Sequence, residues 1–368
     1  MDFEWRFGVE EEYFLVDRET GNACPSPSLD FWRELRASAP SATKELLQSQ
    51  VEAKTAPCRS AVQCLEELQL NRAAIDATAQ KHGLGLMASG THPEFDWRHA
   101  KESTGQRYSK LVRDMRMLAL RNLFCGLHVH VEVPNGISRI ELMNRCSPYL
   151  PLFLSLSVSS PFWRGEWTGM QGYRLTGYDE LPRTGLPPVF KDADEFAQYV
   201  STLTHIGAIR DASFIWWAIR PSLAFPTLEL RICDSVTDVR SAVAIASLYR
   251  CLVFRLATDT QFGATPSPAL RAIAEENRWQ VQCDGLQATI ADVATLRPIG
   301  VRTAIEQLAQ DLIPEAKRFG CIHEFDKLGS ILSEGTSAER QLKIWNDAAS
   351  PQEGLDAVKA WLLGATMA

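Results

Sequence analysis

No Cys-x-x-Cys pair occurs in this chain, although it holds nine cysteines: Cys24, Cys58, Cys64, Cys125, Cys146, Cys233, Cys251, Cys283 and Cys321. An odd count without metal-type spacing argues against a disulfide framework or a zinc ribbon. It predicts reduced, mostly buried thiols in a cytoplasmic protein. A charged leader followed by an apolar run is lacking at the N-terminus, so no secretory signal is expected. There is no glycine-rich phosphate loop, which removes support for a Walker-type nucleotide fold. Basic excess is also missing. With 38 Lys and Arg against 45 Asp and Glu the net charge is -7, which disfavours a nucleic-acid binder. Nor is there an unbroken membrane-length apolar run. The longest candidate, Val236 to Phe254, contains Arg240 and Arg250 and reads as a buried helix, so no membrane partner is expected. Internal repeats, low-complexity tracts and long polar linkers are absent, so residues 1–368 are expected to form a single domain.

What is present is apolar sequence, 45% of the chain, enough for a sizeable core. Ser60-Ala-Val-Gln63 has the pattern of a capping box before a helix reaching about His82, which Gly83 can end. Val62, Leu65, Leu68 and Ile75 would form its buried face. "GLGLMASGTHP" predicts a strand entering a loop. Thr237 or Asp238 can cap a helix running through Val243 and Leu252. Ser350-Pro351 starts a last helix containing Trp361 and Leu362. Strands and helices mix without regular βαβ spacing, which predicts an α+β fold.

Several strand-like segments alternate apolar and polar residues, and successive strand side chains point to opposite faces. In "FGVEEEYFLV", Gly8, Glu10, Glu12 and Phe14 share a face, opposed by Val9, Glu11, Tyr13 and Leu15. In "CGLHVHVEVP", Gly126, His128, His130 and Glu132 oppose Leu127, Val129, Val131 and Val133. In "TLELRIC", Thr227, Glu229, Arg231 and Cys233 oppose Leu228, Leu230 and Ile232. In "LLQSQVEAK", Gln48, Gln50, Glu52 and Lys54 oppose Leu47, Ser49, Val51 and Ala53. A half-exposed sheet explains any one of these strands. Together they gather acids and histidines rather than the Lys, Thr and Ser of an ordinary wet face. Glu10 and Glu12 repel each other unless a cation sits near both. Oxygen and imidazole donors suit Mg2+ or Mn2+, and a two-metal site that clamps phosphates becomes a candidate. Glu11 faces the other way, so Glu11→Gln should cost turnover much less than Glu12→Gln does. Its own partner would be a Lys or Arg on a covering helix.

"FGVEEEYF", "CGLHVHVE" and "TLELR" together resemble the glutamine synthetase superfamily, and within it the glutamate–cysteine ligase type 2 branch of carboxylate–amine ligases. The resemblance extends over most of the chain through "LLQSQVEAKT", "ASGTHPEFDW", "SPFWRGEWTG", "YRLTGYDELPRTGLPP" and "AIRPSLAFPTLELRICD". It implies a mainly antiparallel sheet forming a funnel-shaped active site, with helices on the other face. It also implies ATP and Mg2+ (or Mn2+) as cofactors, amino acids as small-molecule substrates, and a homodimer as the assembly to test. Carried over residue by residue, Glu10, Glu12, Glu52, His128 and Glu229 would be the metal ligands. His130 and Arg231 would meet the nucleotide phosphates. Arg231 and Arg220 would carry phosphoryl transfer, and Arg174 and Arg183 would be candidates for the substrate carboxylate. The family pattern has an acid before "IRPS" where this chain has Ala218, which puts its second substrate in question.

The implied reaction activates a carboxylate as an acyl phosphate, which an amine then attacks. Two other functions share the residues: a guanidino-type phosphotransferase, which releases no free phosphate, and a non-catalytic nucleotide-binding protein. For several residues the structural role is the expected one. His92 would stabilise its loop, Glu132 would end a strand in solvent, Trp216 and Trp217 would pack in the core, and Cys125 and Cys233 would serve as small buried hydrophobes.

Overall fold

The structure is a computed structural model in which residues 3–368 are described. Its centre is an antiparallel seven-stranded sheet. The strands are β1 (Phe7–Asp17), β2 (Ala42–Lys44), β3 (Gln50–Lys54), β4 (Leu84–Met87), β5 (Gly126–Glu132), β6 (Ile219–Pro221) and β7 (Thr227–Asp234). Their order is β2-β3-β1-β5-β7-β6, with β4 pairing the far end of β1. The register does what the alternation predicts. Glu10 stands opposite Lys54 on one side and His128 on the other, and Glu12 stands opposite Glu52. His130 lies between Gly8 and Glu229. Because side chains alternate with period two, this register puts every one of these groups on one face. The "LLQSQVEAK" segment is shorter than expected as a strand. Only Gln50–Lys54 pairs in the sheet, and Gln48 instead bonds through its backbone N–H to Lys101 O at 2.9 Å.

One irregularity changes the face of two residues. Between Leu127 and Val129 of β5 the partner on β7 shifts from Cys233 to Leu230, so β7 carries one extra residue. Such a bulge reverses the alternation beyond it. Cys233 therefore stands opposite Leu127 and joins the core, correcting its expected place on the polar face. Asp234 stands opposite Gly126 and takes that place instead.

Five helices matter for the site: α1 (Ala61–Lys81), α2 (Gln106–Met115), α3 (Met117–Arg121), α4 (Val239–Thr258) and α5 (Pro351–Thr366). The Ser60 hydroxyl caps α1 by accepting from Gln63 N at 3.2 Å. The reciprocal half of the box does not form, because Gln63 Oε1 accepts from Arg59 N. Gly83, at φ 68°, follows the end of α1. The buried stripe of α1 runs through Ala61, Cys64, Leu68, Ile75 and Ala79. Val62 is 61% exposed, contrary to expectation, since at 3.6 residues per turn it sits about 100° around from Ala61. Asp238 caps α4, and α4 packs with Val9, Val129, Leu228 and Leu230 of the sheet's apolar face in the main core. Its interior Arg250 is satisfied by three carbonyls, Trp5 O, Glu4 O and Arg59 O, at 2.8–3.0 Å. That explains a charge inside an otherwise apolar helix. Ser350 caps α5, whose Leu362 is buried.

Candidate active site

The polar face of the sheet is the floor of a cavity of about 480 Å³, with α2, α3 and the segments around Glu45, Tyr178 and Trp216 above it. Two groups of three potential ligands converge on this floor: Glu10, His128 and Glu229, and Glu12, Glu52 and His128. In each group the ligand atoms lie within 4.8 Å of one another, and His128 belongs to both. Its Nδ1 is 3.3 Å from Glu10 Oε2, and its Nε2 is 4.0 Å from Glu12 Oε1. Burial and the nearby Arg231 press His128 towards its neutral form, the form in which imidazole binds a metal.

The carboxylates are balanced unequally. Lys54 Nζ bridges Glu10 at 2.9 Å and Glu52 at 2.7 Å. Burial alone would raise Glu10, but His128, His130 and Lys54 hold it well below the usual range. Glu229 is gripped from two sides. Arg220 donates through Nε at 2.7 Å, and Arg231 donates through Nη1. Against the effect of burial, Arg231, Arg220 and His130 keep Glu229 strongly acidic. Glu52 goes the other way: burial and the charges of Glu10 and Glu12 raise it from 4.5 to about 7. Glu45, on the cavity wall, is likewise pushed up by burial and by Glu52 and Glu12. A surplus of crowded carboxylates around a neutral imidazole fits a hard divalent cation. His130 is turned the same way. Its Nδ1 is held by Thr227 Oγ1 at 3.0 Å, and its buried Nε2 has no hydrogen-bond partner, 3.5 Å from Glu10 and 3.9 Å from Glu229. Beside it lies a smaller apolar slot of about 180 Å³, walled by Phe7, Val9, Pro57 and Phe225.

The model of glutamate–cysteine ligase family 2 matches residues 6–356. The chain belongs to that family. It is a ligase of the glutamate–cysteine ligase type, an enzyme class that forms carbon–nitrogen bonds. A Bradyrhizobium diazoefficiens protein provisionally named glutamate–cysteine ligase 2 is 40% identical over 365 residues, spanning 99% of this chain and 84% of that protein. A Rhodospirillum rubrum protein of the same provisional name is 36% identical over 98% of this chain and 95% of its own length. In fold, the chain is similar to a Francisella tularensis glutamate–cysteine ligase solved with AMP, at TM-score 0.73 and 12% identity, covering 99% of this chain and 89% of that one. It is also similar to a Pasteurella multocida bifunctional glutathione synthetase, at TM-score 0.72 and 13% identity. There it spans 98% of its own length but only 53% of the larger protein.

Within this ligase the arginines part company. Arg220, Arg231 and Arg174 line the cavity. Arg174 is buried under Gly126, its Nη1 3.9 Å from Asp234 and its Nε without a partner. Arg183 is not among the lining residues. Its Nε donates to Phe214 O at 2.9 Å, and its guanidinium stacks on Trp216, 5.4 Å from the ring centroid. Arg183 thus supports the wall from behind, which corrects its expected contact with substrate. Trp216 itself lines the cavity, whereas Trp217 is core, so the expected pairing of the two splits. Ala218 is buried and bonded through its backbone to Gly185 O, away from the cavity lining. Other residues were expected to be structural. His92 ties its loop together through Gly21 O and the N–H groups of Glu94 and Phe95. Glu132 departs from its expected place in solvent: it is only 15% exposed and paired with Arg6 at 2.8 Å. Cys125 and Cys233 are buried, and none of the nine cysteines is in a disulfide.

Residues that the sequence did not single out complete the site. Lys54 was visible on the polar face but had no sign of its bridging role. Glu45 precedes β3 in an irregular segment, where no alternation points to it. Asp234 is brought in only by the bulge. Tyr178, whose hydroxyl lies 3.5 Å from Arg231 Nη2, comes from a remote short helix.

Proposed function

We propose that residues 1–368 act as one ATP-dependent carboxylate–amine ligase domain of glutamate–cysteine ligase type, joining a glutamate-like carboxylate to an amine through an acyl phosphate. The observation that carries this reading is the juxtaposition on one sheet face of two carboxylate–His128 groups with Arg220 and Arg231. Glu10, Glu12, Glu52, His128 and Glu229 would hold Mg2+ or Mn2+, which when bound supplies charge neutralisation to the phosphates. Arg231, with Arg220 beside it, would face the transferring phosphoryl group. A planar guanidinium stays protonated and offers a fork of donors there. His130 Nε2 would donate to a phosphate oxygen, with the base of the nucleotide in the neighbouring apolar slot. Arg174 would take the substrate's spare carboxylate. The cavity above the sheet is then the funnel in which the two substrates meet.

In the first step a carboxylate oxygen of the substrate attacks the γ-phosphorus and ADP leaves. In the second the amine lone pair attacks the acyl carbon, phosphate departs, and the nitrogen loses a proton. ADP and free phosphate should therefore appear in equal amounts, and only when ATP, Mg2+, a carboxylate and an amine are all present. Mass spectrometry should find the amide. ADP formation without free phosphate, with a phosphorylated amine as product, would instead establish a phosphotransferase.

A further inference from the structure

The arginines that line the cavity are held in different ways. Arg220 is fully engaged by protein. Its Nε and Nη2 donate to Glu229 at 2.7 and 3.3 Å, and its Nη1 donates to Ser213 O at 3.2 Å and Ile215 O at 2.6 Å. Arg231 and Arg174 are held less completely. Arg231 donates through Nη1 to Glu229, and its buried Nε has no hydrogen-bond partner. Arg174 reaches Ile232 O at 3.4 Å and Asp234 at 3.9 Å, and its buried Nε is likewise without a partner. Tyr178 touches both. Its hydroxyl accepts from Arg231 Nη2 at 3.5 Å, and the Arg174 guanidinium lies over its ring, 5.5 Å from the centroid. Tyr178 itself lines the cavity.

We infer that Tyr178 is a positioning residue for the activation step: its hydroxyl aims Arg231 at the transferring phosphoryl group, and its ring holds Arg174 for the substrate's spare carboxylate. The inference rests on the ligase reading above and adds to it a residue to which that reading gives no role.

The local structure makes Tyr178 a fixed platform. It ends the short helix Tyr173–Tyr178, and Arg174 lies four residues before it, which sets the two on one helix face. The two residues that follow are clamped. Asp179 accepts from Arg278 Nη1 at 2.5 Å, and Glu180 accepts from Arg121 Nη2 at 2.5 Å. Arg278 belongs to the helix Pro268–Asp284 and Arg121 to α3, so the helix end is pinned by two separate elements. On the other side, Gly177 packs so closely on Phe124 that a Cβ there would collide with the ring. A ring on a mobile loop could not set the direction of two guanidiniums, whereas one whose backbone is fixed on both sides can. At 3.5 Å the hydroxyl contact is at the long end for a hydrogen bond, as is common before substrate draws catalytic groups together.

The test uses two variants. Tyr178→Phe keeps the ring and removes the hydroxyl, while Tyr178→Leu removes both. Each is assayed for ADP formation with ATP, Mg2+, glutamate and hydroxylamine, in protein whose melting curve matches the parent. Tyr178→Phe should lower kcat about tenfold, the scale of a hydrogen bond to a charged group, with KM for glutamate unchanged within about twofold. Tyr178→Leu should show the same loss of kcat and also raise KM for glutamate about fivefold, the scale of a cation–π contact. A merely structural role would lower kcat in both variants through loss of active protein and would leave KM alone. A normal kcat in Tyr178→Phe overturns the inference for Arg231, and an unchanged KM in Tyr178→Leu overturns it for Arg174. Either result leaves the ligase reading in place. No ADP from the parent protein with glutamate or any other carboxylate sinks the ligase reading, and the positioning role falls with it.

Discussion

The three adjacent glutamates Glu10, Glu11 and Glu12 hold two different chemistries. Glu10 and Glu12 lie over the cavity, while Glu11 is buried on the other face at 1% exposure. Its partner is Arg72 of α1, joined by Nη2–Oε1 at 2.6 Å and Nε–Oε2 at 3.1 Å, with the Tyr13 hydroxyl donating as well. Arg72 also reaches Val236 O, Thr237 O and Thr366 O, so one guanidinium ties β1 to the starts of α4 and the end of α5. The expected covering-helix cation exists, and the mild effect expected for Glu11→Gln concerns turnover; stability is another matter. Removing one charge leaves Arg72 buried and uncompensated, so urea unfolding should show a loss of about 3–5 kcal/mol. A loss under 1 kcal/mol would mean that the pair is not the anchor it resembles. Glu12→Gln is the opposite case. Its side chain is partly open to the cavity, so the melting point should barely move, while ADP formation falls by roughly a hundredfold or more, as for loss of a metal ligand. Near-normal turnover would remove Glu12 from the metal groups.

At the scale of elements, the site depends on the antiparallel register and on one break in it. The bulge in β7 puts Arg231, which lines the cavity, and Asp234, which lies buried 3.9 Å from Arg174, on the same face, although an unbroken strand would put them on opposite faces. Gly126 opposite Asp234 leaves the room that Arg174 occupies. A Cβ at Gly126 would collide with Arg174 Nη2 and lie 3.2 Å from Cys233 O. Gly126→Ala should therefore keep the fold but displace Arg174, raising KM for the carboxylate substrate by about tenfold, the worth of one charged hydrogen bond. An unchanged KM would remove Arg174 from substrate binding. Neither the bulge nor this close approach leaves a mark on the "CGLHVHVE" and "TLELRIC" patterns, because alternation registers residue types along one strand, not where two strands slip past each other.

For the molecule as a whole, the crowding of acids has a thermodynamic consequence. With Glu52 raised to about 7 from 4.5, the folded protein keeps a proton that the unfolded chain has already released across that interval. The unfolded state binds fewer protons, so this group's contribution makes stability fall as pH rises from about 4.5 to 7. A divalent cation would replace that proton and relieve the repulsion. Mg2+ should then raise Tm more at pH 8 than at pH 5.5, approaching about 2.7 kcal/mol of stabilisation at a hundredfold excess over Kd. EDTA should reverse the shift, and the absence of any Mg2+ effect at pH 8 would argue against the metal assignment. The sequence by itself determined the faces of β1, β3 and β5, the caps at Ser60 and Ser350, and the floor of acids and histidines. These follow from local periodicity and from side-chain chemistry that any strand or helix must obey. Only the tertiary structure decided that Arg72 answers Glu11, that Asp234 replaces Cys233, that Arg183 stands behind Trp216, and that Glu45 and Tyr178 reach the cavity. Each of these is a meeting of residues far apart in the chain, set by how elements pack, and no periodicity within one segment encodes it.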